Sequence, residues 1–186
     1  TQKKMESDSQ IKFDVPSREQ MSENNLPVYD AIVDSVGFMP NLFATLGLSD
    51  NGLNRYITLQ NGTSALTNKE KEAINLVVSE VNNCNYCRAA HTTIGKMNGF
   101  TEAEALEIRS GKASFNKKLN ALIKLSQDIV QTRGKINAKY LEIFFNEGYD
   151  KGQLIDVIIQ VGEKTITNYL HNITQIPIDF PEVPQL

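Results

Sequence analysis

Apolar residues recur every three or four positions along most of the chain, a spacing that predicts helices rather than strands. One stripe covers residues 28–36, where Pro27 suits the first turn of a helix. Residues 37–41 are read as a break. A second stripe covers residues 53–59, with Ser49 as its predicted cap and Asn61-Gly62 as its end.

Later helix starts are better marked. Thr67 followed by Glu70 forms the pattern of a capping box, and the apolar residues that follow continue at helical spacing to Val81. Asn82 and Asn83 interrupt this pattern. Further helices are predicted over residues 84–97, from Thr101 with Glu104 as its capping pair, over residues 115–132, after Asn137 and over residues 150–174. The Val/Ile-rich run at residues 157–159 also suits a strand, but its length and flanking caps favour a helix, so the fold class is predicted to be all-α.

Composition adds little beyond this. The chain has 186 residues, 40% of them apolar and 22% charged, and 19 basic against 22 acidic residues give a net charge of −3. These are the proportions of a globular protein, with no basic excess for binding nucleic acid. No signal peptide or membrane-spanning run is visible, so a cytoplasmic location and no membrane partner are expected. Residues 1–25 are predicted to be a polar N-terminal arm and residues 26–186 one domain.

The scarce residue types are concentrated in one place. The chain has two cysteines and two histidines, and Cys84, Cys87 and His91 fall within eight positions. On a helix, Cys87 and His91 lie one turn apart on the same face. Cys84 falls at the helix start, where unpaired N–H groups and the helix dipole favour a thiolate. Two cysteines at this spacing also suit a thiol that attacks and a second thiol that resolves the product.

Three other interpretations compete with a redox pair. The cysteines can be small core residues, or zinc ligands with His171 or a carboxylate completing the site, or a thioredoxin-like motif. The zinc site lacks a second ligand cluster, and the thioredoxin-like motif lacks strands. Thiol chemistry also needs a proton route through His91 and a carboxylate. Glu70, Glu72 and Glu80 are the candidates, and this reasoning does not choose among them.

The wider pattern resembles a known family. Residues 66–72 (LTNKEKE), 83–87 (NCNYC) and the pair Ala90-His91 are similar to the carboxymuconolactone decarboxylase/AhpD-like superfamily, and in particular to its peroxidase-related, alkylhydroperoxidase-like branch. The resemblance extends over about residues 36–179. It implies an all-α bundle of AhpD-like type that assembles as a dimer, trimer or hexamer.

The resemblance also implies roles for four residues. The family pattern places a Glu twelve positions before the first Cys and a His four positions after the second, which selects Glu72 and His91. Cys87 would then be the peroxidatic thiolate and Cys84 the resolving thiol, with His91 and Glu72 as the proton relay. Tyr86 departs from the pattern, because the characterised alkylhydroperoxidase has a His between its cysteines.

The resulting hypothesis is a cofactor-independent thiol peroxidase, an oxidoreductase that uses a hydroperoxide as its electron acceptor. It would need a dithiol reductant, which in the family can be a lipoylated protein, and it would need no metal. Two alternatives remain: a disulfide reductase or redox sensor of the same fold, and a non-redox decarboxylase-like enzyme or binding module. The decarboxylase branch works without the cysteine pair, which argues against lactone decarboxylation here. His171 receives no role.

Overall fold

Nine α-helices follow one another along residues 11–186, the part of the chain that a computed structural model describes, and this part contains no strand. The predicted all-α class is confirmed. Within the same residues, no helix is long and apolar enough to cross a membrane. The helices are α1 (Leu26–Val36), α2 (Asn41–Leu46), α3 (Gly52–Gln60), α4 (Asn68–Val81), α5 (Asn85–Met97), α6 (Glu102–Arg109), α7 (Lys117–Thr132), α8 (Ala138–Asn146) and α9 (Lys151–Thr174).

The helix starts follow the side chains that cap them. Thr67 and Thr101 each accept a hydrogen bond from the N–H group three residues on, and the Glu at that position bonds back to the cap residue. Asn137 caps α8, and Asp150 opens α9 with a capping box completed by Gln153. Each cap satisfies N–H groups that have no partner inside the helix. The predicted starts of these helices are confirmed.

Near the N-terminal end of the bundle, the sequence missed one helix and misplaced one cap. The break after α1 is followed at once by the short helix α2, which the sequence did not reveal. Its first N–H group, that of Asn41, donates to Asp179 at 2.8 Å, so its cap comes from 138 positions away. Ser49 does not cap α3: its carbonyl accepts from the Gly52 N–H in a turn, and Asn51 occupies the cap position.

Helix α4 lies at the centre of the bundle and packs against α5, α6, α7 and α9. Its residues 73–79 are all buried; five of them are apolar, and the other two, Asn75 and Ser79, are polar. The core around it is completed by the inner faces of α7 and α9, with Leu122, Ile123 and Val157 fully buried. This central position fixes the places of side chains at both ends of α4, including Glu72 near its start.

The predicted arm lies partly outside the described residues, since the structure covers only residues 11–25 of it. This portion packs on its own chain. Met21 is buried, and Asn25 bonds through its side-chain amide to the carbonyl of Ser49 (2.8 Å) and to the N–H of Asn54 (3.2 Å). The division into an arm and a domain stays a prediction.

Candidate active site

The corner between α4 and α5 places both cysteines. Asn83 adopts the left-handed conformation (φ 53°), which asparagine tolerates better than most residues, and this turns the chain sharply after α4. Cys84 then occupies the cap position of α5. The corner is also tied to α9, because the Asn82 side chain donates to Asn168 (3.0 Å) and Asn172 donates to the Asn82 carbonyl (2.7 Å).

The two cysteines lie on adjacent turns of backbone but in different surroundings. The Sγ atom of Cys84 accepts a hydrogen bond from the Cys87 N–H at 3.2 Å, as a helix cap does. Cys84 is fully buried beneath Leu42, Tyr86 and Ile176. Cys87 is nearly as well buried, yet it lies on the wall of a cavity that opens to solvent. A small molecule in this cavity would therefore reach Cys87 and not Cys84.

The environment shifts the pKa values of the two thiols in opposite directions. Burial alone would raise the pKa of Cys87, but a hydrogen bond from Cys84 and the positive charges of Lys164 and His91 lower it to about 6. The same hydrogen bond and burial raise the pKa of Cys84. The helix-dipole argument from the sequence favoured a thiolate at Cys84, whereas the family resemblance implied Cys87. The pKa shifts favour Cys87, because the capping thiol of Cys84 acts as a donor to its neighbour.

Glu72 and His91 meet across the α4–α5 interface. The Nδ1 atom of His91 lies 2.7 Å from Oε2 of Glu72, and the other oxygen of Glu72 accepts from the Asn75 amide at 3.0 Å. Burial alone would raise the pKa of Glu72, but the charge and hydrogen bond of His91 outweigh it and hold the pKa below its ordinary value. The carboxylate thus orients the imidazole and leaves its Nε2 atom for proton exchange.

The other two candidate glutamates are occupied elsewhere. Glu70 completes the capping box of α4 and accepts from the hydroxyl of Tyr149 at 2.8 Å. Glu80 forms two buried ion pairs, with Arg88 and Arg109, both at 2.7 Å. Of the three acids that sequence reasoning considered, only Glu72 therefore contacts His91.

A cavity of about 620 Å³ joins these groups. Cys87, His91 and Glu72 lie on its wall, together with Gln160 and Lys164 from α9. The apolar and aromatic part of its lining comes from α1, α2, the segment between them, α5 and the C-terminal tail. These apolar residues include Val36, Phe38, Pro40, Leu42, Phe43, Ile94, Met97 and Phe180.

Helix α9 supplies the part of the site that sequence reasoning missed. Its buried face is polar: Gln160, Glu163, Lys164, Thr167, Asn168 and His171 are all buried. These positions repeat every three or four residues, so they form a single stripe along the helix. The isoleucines on the opposite side are exposed. A polar stripe at helical spacing, flanked by isoleucines, was the signal that could have revealed this face.

Tyr86 anchors the C-terminal tail over the cysteine pair. Its hydroxyl donates to Asp179 at 2.5 Å and accepts from the N–H of Leu42 at 3.3 Å. Its ring lies 5.4 Å from that of His171 and 5.6 Å from that of Phe180. Instead of a proton-transferring histidine between the cysteines, the chain therefore has a structural anchor.

His171 itself bonds through Nε2 to the carbonyl of Ile176, at 3.1 Å. Burial lowers the pKa of this histidine. Across residues 11–186, no group of three or more His, Cys, Asp or Glu side chains is arranged to hold a metal ion. The zinc alternative therefore finds no ligand set in this part of the chain.

Comparison with known proteins extends these observations. Residues 51–128 match the sequence profile of the carboxymuconolactone decarboxylase family, a stretch that includes α4, α5 and both cysteines. No functionally curated protein matches the chain in sequence.

Solved structures share the fold. A peroxidase-related protein with an alkylhydroperoxidase AhpD core from Ralstonia eutropha JMP134 superposes with a TM-score of 0.81, at 19% identity over 90% of this chain and 92% of its own. A peroxidase-related protein from Silicibacter sp. TM1040 superposes with a TM-score of 0.76, at 19% identity over 89% of this chain and 90% of its own. A cysteine-to-alanine variant of the debrominase Bmp8, in complex with 2,3,4-tribromopyrrole, superposes with a TM-score of 0.75. Its sequence is 14% identical over 92% of this chain and 94% of its own. The predicted AhpD-like bundle is confirmed.

Proposed function

We propose that the chain is a cofactor-independent thiol peroxidase of the carboxymuconolactone decarboxylase/AhpD-like superfamily, whose family profile matches residues 51–128. One observation carries the proposal: a cysteine with a depressed pKa and a carboxylate-bound histidine lie on the same cavity wall. A thiolate is the nucleophilic form of cysteine, and a histidine held by a carboxylate can exchange protons. The roles assigned below to Cys87, Cys84, His91 and Glu72 are part of this proposal.

In the first step, the Cys87 thiolate attacks the terminal oxygen of a hydroperoxide. The S–O bond forms as the O–O bond breaks, so that sulfur is oxidised to a sulfenic acid and the peroxide is reduced to an alcohol or water. The leaving alkoxide needs one proton, which His91 donates through Nε2. Glu72 stabilises the imidazolium before the transfer and keeps the ring oriented after it.

In the second step, Cys84 resolves the sulfenic acid. Its sulfur attacks the sulfur of Cys87, water leaves, and a disulfide joins the two residues. Cys84 is close enough because its thiol and the thiol of Cys87 are hydrogen-bonded to each other. An external dithiol then reduces the disulfide, and a lipoylated protein is the reductant class we propose. The proposed cycle requires no metal or organic cofactor.

Turnover assays test the proposal. Purified protein should consume an organic hydroperoxide with dihydrolipoamide as donor, and Cys87→Ser should abolish turnover. His91→Asn should slow it about 100-fold or more, since general acid catalysis contributes at least this much. His171→Asn, which removes the other histidine, is the matched control and should remain active. Equal rates for wild type and Cys87→Ser would refute the peroxidase. If the disulfide forms without turnover, the redox-sensor alternative would replace it.

A second substrate class follows from the size of the cavity. About 620 Å³ lined by Phe38, Phe43 and Phe180 is more room than a small peroxide needs and suits an aromatic ring. The debrominase Bmp8 shares the fold. Reductive debromination would use the same pair, with the two thiols becoming a disulfide and the ring exchanging bromine for hydrogen as bromide leaves. Bromide release from a bromopyrrole, lost in Cys87→Ser, would support this second activity.

Self-association is a further part of the proposal. The outward face of α9 carries a row of isoleucines that are 46–72% exposed, at positions 155, 158, 159, 166 and 173. The same helix buries its polar face, so its apolar face is left for a second copy of the chain. Ile158→Asp should dissociate the assembly in light scattering. Ile143→Asp changes an equally exposed isoleucine on α8 and should not. A wild type that is monomeric at micromolar concentration would refute the interface.

A further inference from the structure

Lys164 is a charged residue in an unusual position. It lies in the middle of α9 with only 2% of its surface exposed, on the wall of the cavity that also holds Cys87. Among residues 11–186, no carboxylate oxygen lies within 4.0 Å of its ammonium. Burying an ammonium without an anionic partner costs several kcal/mol, so a negative charge on the same cavity wall stabilises Lys164.

Two carboxylates share this wall, and each is engaged by other side chains. Glu163, its neighbour in sequence, accepts hydrogen bonds from Tyr56 (3.3 Å) and Gln60 (3.4 Å) of α3. Glu72 is bound by the imidazole of His91 at 2.7 Å. Besides these two carboxylates, the thiol of Cys87 is the group on this wall that can carry a negative charge near neutral pH.

We propose that Lys164 is the counter-ion of the Cys87 thiolate and a positioning residue of the site. It acts through Cys87 and not on the substrate. The inference rests on the proposed function, for which an ionised thiol is the working state. In the disulfide form the negative charge is lost, so the electrostatic partner of Lys164 changes with each turn of the cycle.

The electrostatics of the site agree with this geometry. Burial would lower the pKa of Lys164, but its electrostatic interactions with Tyr56, Cys87, Glu163 and Glu72 raise it above its ordinary value. Of the two cations that lower the pKa of Cys87, Lys164 contributes more than His91. The titratable groups that face Cys87 are Tyr56 from α3, Glu72 from α4, Cys84, Tyr86 and His91 from the α5 segment, and Lys164 from α9.

The test measures the ionisation of Cys87 directly, with neither peroxide nor reductant turnover. The rate of alkylation by iodoacetamide is followed against pH in reduced protein, and mass spectrometry identifies Cys87 as the modified site. Wild type should titrate near pH 6. Lys164→Met should move the midpoint upward by at least one pH unit, whereas Lys164→Arg, which keeps the charge, should restore it to within about half a unit.

Lys71 provides a matched control. It lines the same cavity but is only partly buried, so solvent screens its charge, and Lys71→Met should leave the midpoint within about half a unit of wild type. Because no catalytic turnover is measured, a protein without peroxidase activity could still confirm the ion pair. An active peroxidase could equally well lack it.

A second measurement covers the case in which Lys164→Met does not fold. Cys87→Ser removes the thiolate with almost no change of shape, and the titration of Lys164 is followed by NMR of protein carrying ¹³C-labelled lysine. Lys164→Arg assigns the resonance. Lys164 should titrate at lower pH in Cys87→Ser than in wild type, because the coupling between two charges is reciprocal. An unchanged Cys87 midpoint in folded Lys164→Met, or an unchanged Lys164 titration in Cys87→Ser, would overturn the proposal and leave Glu163 as the counter-ion.

Discussion

Replacing Cys87 by serine should change how the stability of the protein depends on pH. The pKa of Cys87 is lowered from 9.0 to about 6 in the folded protein. A group whose pKa is lower when folded stabilises the fold above its unfolded pKa, and this contribution disappears as pH falls through the folded pKa. Three pKa units correspond to about 4 kcal/mol in full. Between about pH 5 and pH 8, the same shift gives about 2.5 kcal/mol.

The assay is urea denaturation of reduced wild type and Cys87→Ser at several pH values, with the free energy of unfolding obtained by linear extrapolation. The difference between the two proteins should grow in favour of wild type by about 2.5 kcal/mol from pH 5 to pH 8. Serine stays neutral throughout, so titrating groups that are not coupled to Cys87 cancel to first order in the comparison.

Cys84→Ser is the matched control for this prediction. The pKa of Cys84 is raised, so this thiol is neutral over the whole interval in the folded protein. Its replacement by a hydroxyl, which can also donate a hydrogen bond to Cys87, should leave most of the pH dependence in place. A difference between wild type and Cys87→Ser that is constant from pH 5 to pH 8 would refute the depressed thiol pKa, and with it the assignment of Cys87 as the reactive thiolate.

Three further perturbations test the scaffold around the site. Glu80→Gln should cost about 3 kcal/mol of unfolding free energy in urea melts, because it leaves two buried arginines without their anion; a loss below about 1 kcal/mol would contradict the buried ion pairs. Gly111→Ala should destabilise more than Gly134→Ala in thermal melts. Both glycines have φ near +84°, but the new Cβ would lie 2.4 Å from the Gln127 amide at position 111 and in open space at position 134. Tyr86→Phe should speed alkylation of Cys84 by loosening the tail; an unchanged rate would show that the tail does not shield this thiol.

The sequence predicted most of the helices because their starts are local. A capping residue and its partner three positions on are enough to mark α4, α6 and α9, and the structure has them where predicted. The start of helix α2 could not be predicted in this way, since its cap, Asp179, comes from the opposite end of the chain. Ser49 was wrongly predicted to cap α3, because serine is suited to turns as well as to helix caps.

Some residues of the candidate site could be predicted from the sequence, and others could not. Cys84, Cys87 and His91 were visible because scarce residue types fall within a few positions, and the family spacing selected Glu72, which does contact His91. Lys164 was not visible. A lysine in a helix is normally on a solvated face, and only the packing of α9 with its polar side inward makes this one buried. Its environment depends on contacts between distant helices, which no local pattern encodes.

The reaction of the two thiols with a single equivalent of hydroperoxide tests the central claim most directly. Reduced protein is pulsed with peroxide, alkylated, and analysed by intact mass and peptide mapping. The thiol peroxidase predicts loss of both free thiols, a mass decrease of about 2 Da and one peptide linking Cys84 to Cys87. Cys87→Ser should retain its remaining thiol. Two alkylated thiols and no peptide linking Cys84 to Cys87 in wild type, with the peroxide left unconsumed, would contradict it.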